Sequence, residues 1–232
     1  MKRWALLALL LIAAPASAAP VLIARPAIAP GVVAFPRLRA GPGDRAAARI
    51  DAALAAGDGR VRRAVAGCHD WKRQVAVRAR GPRYLTVLAR DSWYCGAYPD
   101  TDIVALTYDL RSGAPVNWSG LLGPRVVTSA QLHTVGDGTR VGAAVSAPLA
   151  RWYARAALAA PGVPKACAPV LGAAGLGFQL WIDARARGLG IAAAGLPHVV
   201  AVCGPALVVP AATLRAMGAR PAILAALAAA RP

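Results

Sequence analysis

The chain has 232 residues and a formal net charge of +17; its ten acidic residues are all aspartate, and only three of its 27 basic residues are lysine. That charge speaks to association with anions and to solubility rather than to fold, and the abundance of Ala, Arg, Gly and Pro is equally the mark of a GC-rich coding bias. Without GxSxG, HExxH or phosphate-loop signatures, or any recognised nucleic-acid-binding motif, the composition names no reaction and gives no support for a nucleic-acid partner.

In chain order, Lys2 and Arg3 precede the apolar run Trp4 to Ala14, then Pro15 and Ala16-Ser17-Ala18. This is the layout of a secretory signal peptide cut near Ala18 or Ala19. The apolar run is shorter than the ~20 residues a spanning helix needs. No later stretch reaches that length either, so no transmembrane segment is expected after cleavage, and loss of Lys2 and Arg3 would leave a charge of +15.

Residues 20–43 hold prolines at 20, 26, 30, 36 and 42 and read as a tether, or at most an edge strand around Gly31 to Phe35. Asp44 is placed to cap a helix from Arg45 to about Ala56, with Gly57 as its stop. Strands are predicted at Val61 to Val65 and Arg73 to Arg80. The stretch from Arg83 to Trp118 carries the clearest β pattern. A strand from Tyr84 to Ala89 has two largely apolar faces, Ser92 to Asp102 reads as a turn or short loop, and Ile103 to Leu110 resumes as a strand, together an antiparallel meander. Ser119 to Gly123 fits a helical turn, and Val126 to Val145 reads as irregular. Ala147 to Ala160 is an amphipathic helix stopped by Pro161-Gly162. Strands at Gly177 to Ala184, Gly188 to Ala193 and Ala206 to Val209, with a helix at Ala211 to Met217, complete a single α+β domain over residues 44–232.

In an exported protein, Cys68, Cys95, Cys167 and Cys203 favour two disulfides. Three pairings are open; Cys68 with Cys95 and Cys167 with Cys203 is preferred, because these pairs tie the approach to the first meander strand to the turn after it, and join the two ends of the distal region. The absence of CxxC or HxxH spacing argues against zinc, and neither a metal nor a cofactor is expected. Gly188-Leu189-Gly190 imitates a dinucleotide fingerprint, but no acidic residue follows Asp183 to hold a ribose.

Several of these pieces carry a family resemblance. YCGAYP followed by LTYDLRSG and VNWSGLL, then GFQLWIDARARGLGIAAAGLPH and VCGPALVVPAATLRAMGA, resemble the extracytoplasmic domain of unknown function found in the lysozyme-sensing anti-sigma factor RsiV and beside peptidoglycan deacetylase domains. The matching pieces lie between Tyr84 and Gly218. Where that family commonly has a second glycine in its turn and Asn after the proline, this chain has Cys95-Gly96-Ala97 and Asp100. The resemblance implies an α+β module that is not itself catalytic.

Two functional expectations follow. The first is a non-catalytic periplasmic or secreted module that binds peptidoglycan, an anionic envelope component or a protein partner. Its candidate surface is the aromatic turn Trp93, Tyr94 and Tyr98 with Arg78, Arg80 and Arg83, although core or hairpin packing is the competing use of those rings. The second is an envelope-polymer hydrolase using His133 or His198 with an aspartate. A pocket holding two histidines with Asp109 or Asp183 would favour it. His69, beside Cys68 and Asp70, is set aside because neighbours on a strand point to opposite faces. Asp100 and Asp102, two apart, are assigned to hydrogen-bonding the backbone of a turn rather than to calcium or acid/base chemistry.

Overall fold

The computed structural model describes residues 20–68, 70–96, 98–173 and 175–232; the expected signal peptide and His69 lie outside them. The architecture is α+β with antiparallel sheets, and both preferred disulfides, Cys68–Cys95 and Cys167–Cys203, are present.

The proline-rich segment is not a free tether. β1 (Leu22–Ile23) pairs with β2 (Arg37–Leu38), and between them the strap joins the main sheet through Val33 N–H to Arg73 O at 3.1 Å and Arg73 N–H to Gly31 O at 3.0 Å. Val32 and Phe35 are each 1% exposed. The prolines rule out a regular ladder, yet the apolar residues between them find a surface to cover.

That surface is α1 (Arg45–Ala66), capped by Asp44 Oδ1 accepting from Ala47 N–H at 2.9 Å. The helix passes the expected stop at Gly57 and absorbs the expected strand at Val61 to Val65. Ile50, Leu54, Gly57 and Val61 recur on its buried face, and a Cβ at Gly57 would lie 3.0 Å from the Phe35 ring. Gly57 serves as the seat of the strap rather than as a terminator.

β3 (Asp70–Arg80), β4 (Tyr84–Tyr94) and β5 (Pro99–Asp109) form the predicted meander, longer than expected at its turn end. After α2 (Trp118–Leu122) comes a hairpin, β6 (Ser129–Thr134) and β7 (Arg140–Val145), where irregular chain was expected. Its turn is built by Asp137-Gly138, with Thr139 N–H donating to Asp137 Oδ1 at 2.7 Å. Then follow α3 (Ala147–Leu158), α4 (Ala168–Leu171), β8 (Gly177–Asp183), β9 (Gly188–Ala194), β10 (Leu207–Pro210), α5 (Ala211–Ala216) and α6 (Pro221–Ala229). The second sheet has the order β10-β9-β8-β7-β6.

Strand alternation sorts the core into layers. Leu85, Val87 and Val104 pack with Ile50 and Leu54 of α1, while Leu88 on the reverse face of β4 meets Trp181 and Ala192 of the second sheet. The far face of that sheet, with Phe178, Leu180 and Ile191, packs on Leu149 and Tyr153 of α3, Leu214 of α5 and Ile223 and Leu227 of α6. The order is helix, sheet, sheet, helices. Gly190 has a structural use that accounts for the false dinucleotide motif: any side chain there would overlap the Trp181 indole. Among the described residues, no helix is long and apolar enough to cross a membrane.

Candidate functional site

Toward the start of β3 and the end of β4 the two sheets leave a groove of about 780 Å³ between them. Its floor is one face of the meander. By alternation, Lys72 and Gln74 of β3, Arg90 and Ser92 of β4, and Thr101 and Ile103 of β5 share that face, and all line the groove. The opposite wall consists of small or apolar residues, among them Ala192, Gly195, Leu196, Ala201 and Gly204, and His133 and Thr134 of β6 form a rim. Arg90 is exposed and has no ion pair among the described residues, whereas Lys72 has only an exposed partner, Asp70, at 3.6 Å. The floor therefore offers two cations, two hydroxyls and an amide to a ligand.

Both disulfides brace this groove. Cys95 follows the end of β4 and is tied back to Cys68 ahead of β3. Cys203 ends a 3₁₀ segment, His198–Cys203, that supplies part of the opposite wall, and Cys167 anchors it. The Tyr153 hydroxyl holds the next stretch by donating to Pro205 O at 2.7 Å.

On the reverse face of the meander lies a buried charge cluster. Arg73, fully buried, has Nε 3.3 Å from Asp91 Oδ1 and Nη2 3.7 Å from Asp137 Oδ2, and its guanidinium lies over the Phe35 ring at 4.3 Å. Trp71 Nε1–H donates to Asp91 Oδ1 at 3.1 Å and its ring stacks on Trp93, centroids 4.7 Å apart. Burial pushes the Asp91 carboxyl up to about 6 despite the opposing pull of Arg73 and Trp71, and burial lowers the Arg73 pKa against the pull of the aspartates. Arg73 thus links the strap, the meander and the β6–β7 turn that borders the groove.

The aspartates of the turn do backbone work, on a strand edge rather than in a turn. Asp100 Oδ1 accepts from Thr101 N–H and Asp102 Oδ1 from Ile103 N–H, each at 2.8 Å, while Gln179 Oε1 accepts from Ala105 N–H at 3.0 Å. The outward donors at Thr101, Ile103 and Ala105 of edge strand β5 are thereby occupied, which blunts this part of the edge against strand addition. Asp102 Oδ2 also accepts from Gly136 N–H at 3.0 Å, fixing the hairpin turn over Trp93. Burial raises the Asp102 pKa, and the two backbone N–H groups and the nearby His133 oppose that rise.

The expected binding surface is divided. Trp93 borders the groove, and Tyr94 and Tyr98 are exposed at the same end, Tyr98 stacking on His198 with centroids 5.1 Å apart. Arg78, Arg80 and Arg83 lie toward the other end of the strands, roughly 23 to 33 Å from Trp93 at ~3.3 Å per residue along β3 and β4. Arg78 pairs with Asp183 at 3.8 Å, Arg80 donates to Pro232 O at 3.0 Å, and Arg83 pairs with Asp109 at 3.1 Å. These three arginines do not join the aromatics. The two-histidine pocket does not form either: His133 is at the groove rim near Asp102, His198 is against Tyr98, and Asp109 and Asp183 are engaged elsewhere. Among the described residues no group of three or more His, Cys, Asp or Glu could hold a metal ion. Lys72, Gln74, Arg90, Ser92 and Thr101 do not stand out together in the sequence; the signal that unites them is the even numbering of the first four on the paired strands β3 and β4, with Thr101 of β5 opposite Ser92. No protein-family model and no curated protein matches this chain.

Proposed function

We propose that the protein is an exported, non-catalytic module of the periplasm or the secreted fraction that binds a cell-envelope component, peptidoglycan or another anionic polymer, in the groove between its sheets. The observation that carries this reading is the groove floor, where Arg90 and Lys72 stand beside Ser92, Thr101 and Gln74, opposite a wall of small residues that leaves room for a chain. The N-terminal sequence layout, the two disulfides, which fit an oxidising compartment, and the resemblance to the RsiV-associated family support the setting. The test is retention of the purified mature protein on isolated sacculi at low and high salt. Retention that salt weakens, and that Lys72→Ala with Arg90→Ala abolishes while Arg80→Ala with Arg83→Ala spares, is the expected result. No retention on sacculi at low salt ends this reading.

A second reading rests on His133 and Asp102, which border the same groove and interact electrostatically. A hydrolase using them would release soluble fragments from sacculi, and His133→Ala would stop that release while leaving retention intact.

A further inference from the structure

We infer that a second cavity, between the N-terminal strap and α1 and independent of the groove, is a binding site for a phosphate group carried on a ligand with an apolar body. The cavity measures about 340 Å³, and its charged lining consists of Arg25 and Arg37 from the strap side and Asp58 and Arg62 from the helix. The acid is already spent. Asp58, 6% exposed, accepts from Phe35 N–H through Oδ1 at 3.0 Å and from Arg37 Nη2 through Oδ2 at 2.6 Å. Arg37 is spent as well, since its Nη1 donates to Phe35 O at 2.8 Å. Arg25 and Arg62 remain, one on each wall, exposed and without an ion pair or side-chain hydrogen bond among the described residues.

Two uncompensated guanidinium forks facing one cavity, in a chain of net charge +17, place a positive potential there that no protein group cancels. Each fork presents parallel N–H donors suited to bidentate recognition of an oxyanion. A carboxylate carries its two oxygens side by side in one plane and suits one fork. The free oxygens of a phosphate ester, two in a diester and three in a monoester, diverge tetrahedrally and can each meet a fork from a different side, which favours phosphate over carboxylate. The remaining lining side chains, Pro26, Ala27, Ile28, Ala34 and Ala55, are apolar, which suits an apolar body attached to the phosphate. The same chemistry is supplied by a free alkyl phosphate and by a phospholipid headgroup with the start of its chains.

The probes are hexyl phosphate and inorganic phosphate in calorimetric titrations, and vesicles of phosphatidylglycerol in phosphatidylcholine in flotation. The wild type is expected to bind hexyl phosphate more tightly than inorganic phosphate. Arg25→Gln with Arg62→Gln should weaken hexyl phosphate at least tenfold, because neither side chain has a structural partner to lose. Arg151→Gln with Arg155→Gln removes the same charge from α3 and should change binding less than twofold, as should Lys72→Gln with Arg90→Gln in the groove. Vesicle binding lost only in the strap-side pair supports the site with a lipid source, and vesicle binding unchanged in that pair supports it with a soluble source, provided hexyl phosphate is lost. Absence of saturable hexyl phosphate binding by the wild type, or equal losses in the first two paired variants, overturns the site whatever the sacculus experiment gives.

Discussion

Arg73 carries its charge to a place that water does not reach, and among the described residues Asp91 and Asp137 answer it at ion-pair distances rather than through hydrogen bonds. A buried ion pair is seldom a net source of stability, but removing one member leaves an uncompensated charge. Arg73→Met, which leaves Asp91 and Asp137 buried without their cation, is therefore expected to cost about 3 kcal/mol or more in urea denaturation, and replacing the whole cluster by Arg73→Met, Asp91→Asn and Asp137→Asn to cost less than that single change. The pH dependence follows from the direction of the Asp91 shift. Its carboxyl is at about 6 in the folded protein against 3.8 as the ordinary value, so between about pH 4 and 6 the folded state holds more protons than the unfolded chain. Stability from this group is full below pH 4 and is lost as pH rises through 6. Denaturation midpoints of the wild type minus those of Asp91→Asn, taken from pH 4 to 7, should fall with pH; a rising difference would mean that Arg73, not burial, dominates the site.

At the scale of elements, the helix and the hairpin show where local pattern was and was not sufficient. Meander, α3, β8 and β9 were legible because each buries one face or both, and burial imprints a period on the sequence. α1 was cut short because glycine reads as a stop when only the helix is considered. What keeps Gly57 helical is a partner 22 residues upstream, the Phe35 ring, and sequence does not announce that contact. The β6–β7 hairpin was missed for the opposite reason: Ser129 to Leu132 are exposed, so no alternation marks them, and only Asp137-Gly138 gave a turn signal. The groove floor was hidden likewise, since its polar side chains alternate with buried ones of the other face. The two glycines of α1, Gly57 and Gly59, separate these causes. Gly59→Ala meets no atom closer than 3.8 Å and should gain about 0.5–1 kcal/mol from helix propensity. Gly57→Ala brings the same propensity but forces its Cβ to 3.0 Å from a ring with no room to retreat, and should lose about 1 kcal/mol net. Thermal melts of the two variants should move in opposite directions.

Across the whole molecule, the layers meet over a small apolar contact, Leu88 with Trp181 and Ala192, and beyond it the sheets part to make the groove. A gap flanked by two sheets keeps its width only if both walls are tied to something other than each other. The meander wall is tied by Cys68–Cys95, and the opposing wall by Cys167–Cys203 and by Tyr153 to Pro205. The pairs close 27 and 36 residues, and loop-closure entropy assigns them about 3.5 and about 4 kcal/mol. Their stability effects are nearly equal, but their positions differ. The second wall has no strand ladder through its 3₁₀ segment, so Cys167→Ala with Cys203→Ala removes the main restraint on it, whereas the first wall keeps the β3–β4 ladder when Cys68 and Cys95 are replaced. Both double variants should therefore melt earlier by similar amounts, but retention on sacculi should drop several-fold more for the Cys167 and Cys203 pair. Equal loss of retention would place the ligand outside the groove, on a surface that depends on overall stability alone.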